Sequence, residues 1–237
     1  MKILLTNDDG IDAPGLQALE EAMRELGEIV TVAPDRHLSG CSHQVNAARP
    51  LQVSPITDGR FAVDGTPADC TRLGLHHLAP ESDWVLSGIN DGGNLGVDVF
   101  MSGTVAGVRE AAWHKVRGIA LSQYRKSRRE FDWSLVVPLV RQIVKVLWEQ
   151  PLNAGEFWNV NLPDLQADGA GPCDPAEVEI VYCPLNPHPL PTLFDVAEHQ
   201  YTYRGVYADR HRDEGTDVDV CFSGRVAVTK ILPHYTA

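Results

Sequence analysis

Residues 2–34, KILLTNDDGIDAPGLQALEEAMRELGEIVTVAP, decide the fold class. Lys2 to Thr6 reads as a short buried strand. Leu16, Leu19, Met23 and Leu26 then recur at helical spacing, and Gly27 is a natural stop. Glu28 to Ala33 reads as a second strand, which Pro34 ends. Strand, helix and strand in this order form a βαβ unit, with parallel strands and a crossover helix. Between the first strand and the helix stand Asn7, Asp8, Asp9 and Gly10. Two adjacent carboxylates repel one another, and neither has a sequence neighbour to pair with.

The same design returns further on. In DWVLSGIND (83–91), Trp84 to Leu86 are strand-like and run into Ser87, Gly88 and Asn90. SGTVAGVREAAWHKV (102–116) places Val105, Val108 and Ala112 on one helical face, and GIALS (118–122) is another short strand. Leu135 to Trp148 is apolar and helical, with Pro138 lying in its first turn or beginning it, and FWNVNLP (157–163) is a strand stopped by Pro163. Composition then changes. DLQADGAGPCDPA (164–176) reads as a loop, VEIVYC (178–183) and QYTYRGVY (200–207) read as strands with no obvious helix between them, and GRVAVTKI (224–231) reads as a final strand. The expected architecture is a mostly parallel α/β sandwich with an antiparallel C-terminal extension. Residues 1–163 are expected to form the α/β core, and 164–237 an extension that completes the fold.

The bulk numbers agree. A chain of 237 residues with 43% hydrophobic content can build one large core. A formal net charge of -12 argues against a nucleic-acid polymer as partner. No apolar run approaches a membrane span, and no leader pattern opens the chain. The five cysteines have no C-x-x-C spacing, so they read as reduced thiols of a cytoplasmic protein, and no zinc site is expected. The nine histidines form no H-E-x-x-H pair, and His76 and His77 read as ordinary surface residues.

In open α/β sheets, ligands bind beyond the carboxyl ends of the strands. Parallel strands would bring Asn7-Asp8-Asp9 and the Ser87–Asn90 cluster to one edge. Carboxylates, an amide and hydroxyls are hard oxygen donors, suited to Mg²⁺, Mn²⁺ or Ca²⁺. The competing reading is a turn in which Asp9 caps and Asn7 satisfies backbone groups. Ser102, Gly103 and Thr104 precede a helix, where free N–H groups and hydroxyls make an anion pocket. The competing reading there is a plain N-cap. The chain has no P-loop, no G-x-S-x-G elbow and no G-x-G-x-x-G fingerprint.

ILLTNDDGIDAPGL (3–16), APDRHLSGCSH (33–43), VDGTPADCTRLGL (63–75) and VLSGINDGGNLGVDVFMSGTVAGVREA (85–111) resemble, in order, the four characteristic blocks of the SurE family. NVNLP (159–163) and GTDVDV (215–220) resemble its weaker C-terminal signposts. The resemblance implies a three-layer α/β/α sandwich with a mixed sheet, and a metal-dependent phosphatase acting on nucleoside 5′-monophosphates. Nucleoside 3′-monophosphates or short polyphosphate are possible further substrates. It implies one divalent ion per subunit, Mg²⁺ or Mn²⁺, held by Asp8, Asp9, Ser39 and Asn90. Catalysis would rest on Asp8, Asp9 and Asn90, with a metal-activated water as nucleophile. Asn94, Ser102, Gly103 and Thr104 would hold the substrate phosphate. It also implies a homodimer or homotetramer built by C-terminal exchange. Met101 stands where the family commonly carries Tyr before S-G-T, which leaves any ring contact there in doubt. A phosphate sensor that binds at the same pocket without catalysis is the alternative expectation.

Overall fold

A computed structural model describes residues 1–127, 129–166 and 177–232. Most of the polar loop expected over 164–176 therefore lies outside the described residues. The chain opens with β1 (Lys2–Thr6), α1 (Pro14–Met23) and β2 (Glu28–Pro34), as the spacing requires. Two short strands follow, β3 (Val53–Thr57) and β4 (Arg60–Val63), then α2 (Pro67–Leu73). Next come β5 (Trp84–Asp91), α3 (Gly103–Trp113), β6 (Arg117–Gln123), α4 (Val136–Trp148) and β7 (Phe157–Leu162). The last part holds β8 (Ile180–Tyr182), β9 (Phe194–Ala197), β10 (Gln200–Tyr203), α5 (Asp217–Phe222) and β11 (Val226–Ile231).

Nine strands form one sheet in the order β3-β4-β2-β1-β5-β6-β7-β11-β8. The central pairs β2·β1, β1·β5, β5·β6 and β6·β7 are all parallel. Alternation along β1 sends Ile3 and Leu5 to one face and Leu4 to the other. On the first face α1 and α4 cover the sheet; on the second, α2 and α3 do so. In α4 the buried residues Val136, Leu139, Val140, Ile143, Val144 and Leu147 keep helical spacing. Each such side chain contributes about 1.5–3 kcal/mol of transfer free energy. The result is a three-layer α/β/α sandwich with a mixed sheet.

The C-terminal part carries the expected antiparallel pairs and also extends the main sheet. β11 is antiparallel to β7, but β8 pairs with β11 in parallel, so both extend the main sheet. Only β9 and β10 stand apart, as a two-stranded antiparallel hairpin. A helix, α5, also lies between β10 and β11. Strands β3 and β4 lie in a stretch whose polar and Pro-rich composition hides them. α2 carries a readable signal: Thr66 and Asp69 form a reciprocal capping box with Pro67 at the start. Among the described residues Cys41, Cys70, Cys183 and Cys221 are free thiols, as expected. No helix of the described residues is long and apolar enough to cross a membrane.

Candidate active site

The parallel pairing of β1 and β5 sets Thr6 opposite Ser87, so both polar clusters leave the sheet at one edge. Asn7 shapes the turn: its Nδ2 donates to Gly10 O (2.9 Å), and its Oδ1 accepts from Gly10 N (3.2 Å). Gly10 has φ +104°, and a Cβ there would stand 3.1 Å from the Arg36 backbone. Any side chain would therefore be strained at this position. The turn reading thus holds for Asn7 and Gly10, which leaves both carboxylates free for other work.

Asp8 is buried, and its Oδ1 accepts from the Thr104 hydroxyl. Burial, assisted by the neighbouring Asp9 charge, pushes its carboxyl up from 3.8 to about 6; the Thr104 hydrogen bond opposes this. Asp9 accepts from Ser39 Oγ at 3.3 Å and from Asp91 N at 3.0 Å. His37 Nδ1 lies 3.2 Å from the same carboxylate, a neighbour that the sequence reading did not single out. Asn90 sits one residue before Asp91, with its Nδ2 turned onto Gly92 O at 2.7 Å. Asp9, Ser39 and Asn90 are therefore neighbours around the end of β1.

Ser39 is carried by a long loop after β2, and the loop is well anchored. Leu38 N donates to Asp8 O (2.7 Å), Ser42 Oγ to Phe100 O (2.9 Å), and His43 Nε2 meets Glu110 Oε2 at 2.8 Å. Asn46 N donates to Asp69 Oδ1 (3.0 Å), the same carboxylate that closes the α2 capping box. The block around GTPADC thus supports the Ser39 loop. Cys41 lies close by, but burial and the Asp8 charge push its thiol up to about 11, so it is no thiolate nucleophile.

At the start of α3 the N-cap reading is met by Ser102. Its Oγ accepts from Val105 N at 3.0 Å, and its own proton stays free to donate. Thr104 spends its hydroxyl on Asp8. The anion-binding capacity that remains lies in the Gly103 and Thr104 N–H groups, since Val105 N is taken by Ser102 Oγ. Gly103 brings this backbone against the acid: a Cβ there would stand 2.8 Å from Asp8 Cβ and 2.9 Å from Asp8 Oδ2.

Asn94 is buried on the loop between β5 and α3. Its Nδ2 donates to Ser122 Oγ (2.8 Å), and its backbone is held by Asn161 Oδ1 (2.8 Å) and Asn159 Nδ2 (2.9 Å) from β7. Asp98 gathers the rest of the loop. Its carboxylate accepts from Leu95 N, and its carbonyl from Ser102 N. The same carboxylate accepts from Tyr207 Oη and Arg210 Nη1, both at 2.7 Å. Asp217 adds a bond from Gly96 N at 2.7 Å. These C-terminal partners were not visible as site residues in the sequence; the GTDVDV signpost was the one hint. Beside the loop opens a cavity of about 520 Å³, lined by Asp91, Gly93, Tyr124, Arg125 and Tyr207 among others.

The residues present fit a hard divalent ion. Buried Asp8 has Thr104 as its side-chain hydrogen-bond donor and is costly to ionise, and a cation would relieve that cost. The rest of the donor set is carboxylate, hydroxyl and amide oxygen.

Comparison with known proteins places the fold in a family. The family model described as Survival protein SurE matches residues 3–180. A relative from Nostoc sp. is 46% identical over 231 residues, covering 98% of this chain and 99% of its own length. The 5′-nucleotidase SurE of Geobacter sulfurreducens is 38% identical, covering 98% and 87%. The crystal structure of the SurE protein from Aquifex aeolicus superposes with a TM-score of 0.85 at 32% identity, over 100% of this chain and 95% of that one. By sequence and by fold, the chain belongs to the SurE family.

Proposed function

We propose that this chain is a metal-dependent 5′-nucleotidase that hydrolyses nucleoside 5′-monophosphates. The observation that carries the reading is the contact between the two halves of the site: Gly103 and Thr104, at the start of α3, lie directly on Asp8. A phosphate received by the α3 N–H groups is thereby placed beside the acids. Relatives that the chain matches over nearly its whole length carry the name 5′-nucleotidase SurE.

Asp8, Asp9, Ser39 and Asn90 would hold one divalent ion, Mg²⁺ or Mn²⁺. Bound there, it would acidify a water molecule and offset charge on the phosphoryl oxygens. The chain's own groups supply the rest. Thr104 fixes the Asp8 carboxylate, while Ser39 and the Asp91 N–H fix that of Asp9. The Ser102 hydroxyl and the Gly103 and Thr104 N–H groups donate to phosphate oxygens, and Asn94, held by Ser122, Asn159 and Asn161, orders the loop that leads to them. The cavity walled by Tyr124 and Tyr207 is of the size that takes a drug-sized ligand and suits a nucleoside. No covalent phosphoenzyme is required. The exposed hairpin, with Phe194, Val196, Tyr201 and Tyr203 open to solvent, supports assembly into a homodimer or homotetramer.

The experiment is a panel of nucleoside 5′- and 3′-monophosphates and short polyphosphate, assayed after EDTA treatment and after readdition of Mg²⁺ or Mn²⁺. Phosphate release restored by metal is the expected result. Full activity in EDTA would refute the reading, and saturable nucleotide binding with no release would make the protein a sensor.

A further inference from the structure

We propose that His188, His211 and Asp213 form a second metal site, for a borderline transition-metal dication such as Zn²⁺, separate from the Asp8–Asp9 centre. His188 Nε2 lies 3.0 Å from Asp213 Oδ1, and His211 Nδ1 lies 3.7 Å from the same atom. One donor atom from each residue falls within 4.8 Å of the other two. In a tetrahedral zinc site with bonds of about 2.0–2.1 Å, donors stand about 3.3 Å apart. The two distances to Asp213 bracket that value.

An ordinary His–Asp surface pair would explain one of these contacts. It does not explain why two imidazoles, with ring centroids 3.9 Å apart, converge on one carboxylate. Nor is this a loose surface cluster, because buried Asn186 holds the backbone beneath it. Asn186 Nδ2 donates to His211 O at 2.8 Å, and its Oδ1 accepts from Asp213 N at 3.2 Å. The Thr216 hydroxyl holds Asp213 O at 2.7 Å. Neighbouring cations are directed elsewhere: Arg210 is paired with Asp98, and Arg212 lies over the Phe222 ring.

Two nitrogens and one carboxylate suit Zn²⁺ and its neighbours in the transition series better than Mg²⁺, the reverse of the oxygen-only set at Asp8 and Asp9. The three side chains are partly exposed, which leaves a fourth position to water. A filled site would also brace the active-site loop. Asn186 N donates to Asp217 Oδ1, and Asp217 Oδ2 holds Gly96 N, both at 2.7 Å.

The test titrates tag-free, Mg²⁺-saturated protein with Zn²⁺ against a chromophoric chelator. Wild type is expected to take up one equivalent more than the His188→Ala/His211→Ala variant. Zn²⁺ that displaces ion from Asp8 and Asp9 counts equally in both proteins and cancels, so failure of the proposed catalytic centre does not affect the result. Asp213→Asn keeps both rings and is expected to weaken the extra equivalent at least tenfold. It also serves as the second variant should the double substitution fail to melt cooperatively. Equal uptake by wild type and variants, or no uptake by wild type, overturns the proposal.

Discussion

Replacing Asp8 by Asn should stabilise the metal-free protein while weakening its metal site. Asp8 is 3% exposed, and burial is the main reason its carboxyl is raised from 3.8 to about 6. At about 1.36 kcal/mol per pH unit, keeping this group ionised in the folded chain costs about 3 kcal/mol above pH 6. Asn at the same position carries no charge and can still accept from Thr104. The cost of ionisation already includes the opposing Thr104 hydrogen bond, so the gain on removing the charge is about 3 kcal/mol. The sign with pH follows from a folded-state pKa above the unfolded one. Between about 3.8 and 6 the folded wild type binds the extra proton, so its stability rises as pH falls through that window. The advantage of Asp8→Asn should therefore shrink through the same window and vanish below it. Urea unfolding of both proteins in EDTA, at pH 8 and at steps down to pH 4, measures the difference directly. Mg²⁺ titration of the same samples should show affinity lower by tenfold to a hundredfold or more in the variant. A variant less stable than wild type at pH 8 in EDTA, or an advantage independent of pH, refutes the electrostatic account. Unchanged Mg²⁺ affinity refutes Asp8 as a ligand.

Gly103→Ala should reduce phosphatase activity about a hundredfold while changing stability by no more than about 2 kcal/mol. The added methyl meets Asp8 Cβ and Oδ2 at 2.8 and 2.9 Å and displaces the acid, whereas the higher helix propensity of Ala offsets part of the overpacking cost. Near-normal turnover, read beside a urea melt, would count against the close packing of α3 on Asp8. On the hairpin, a Val196→Asp/Tyr201→Asp variant removes apolar contact from two side chains that are 61% and 68% exposed. Light scattering should show it shifted to smaller species than wild type, and an unchanged mass would exclude the hairpin from the interface.

The parts of the fold and site readable in the sequence are those governed by local order. The β1–α1–β2 unit and α4 declare themselves because apolar spacing matches the helical or strand period over the whole element. NDDG and the Ser87–Asn90 cluster were legible as a pair because parallel strands send their ends to one edge. β3 and β4 were not, since neither the mostly exposed Val53–Thr57 nor the four-residue Arg60–Val63 carries a period. His37 beside Asp9 and Arg210 beneath Asp98 were invisible for a different reason. Their roles arise from contacts between distant segments, which no spacing rule reports. Even the Thr104 hydroxyl was read for a phosphate, whereas its structural partner is Asp8, across 96 positions of chain.

The Asp98 clamp bears on how the protein is made. Its partners Tyr207 and Arg210 lie 109 and 112 positions further along the chain, and Asp217 reaches Gly96 across 121. While a chain is still on the ribosome, β1, β2 and β5 can pair long before any of these residues emerges. The loop that carries Asn94 must wait for them, because the cost of closing so long a loop is met only when its far end arrives. A nascent or prematurely ended chain would thus hold its acids in place with the neighbouring loop still unfastened. The buried Arg210 thus makes the fastening of this loop a late event in synthesis, one that follows the pairing of the central strands.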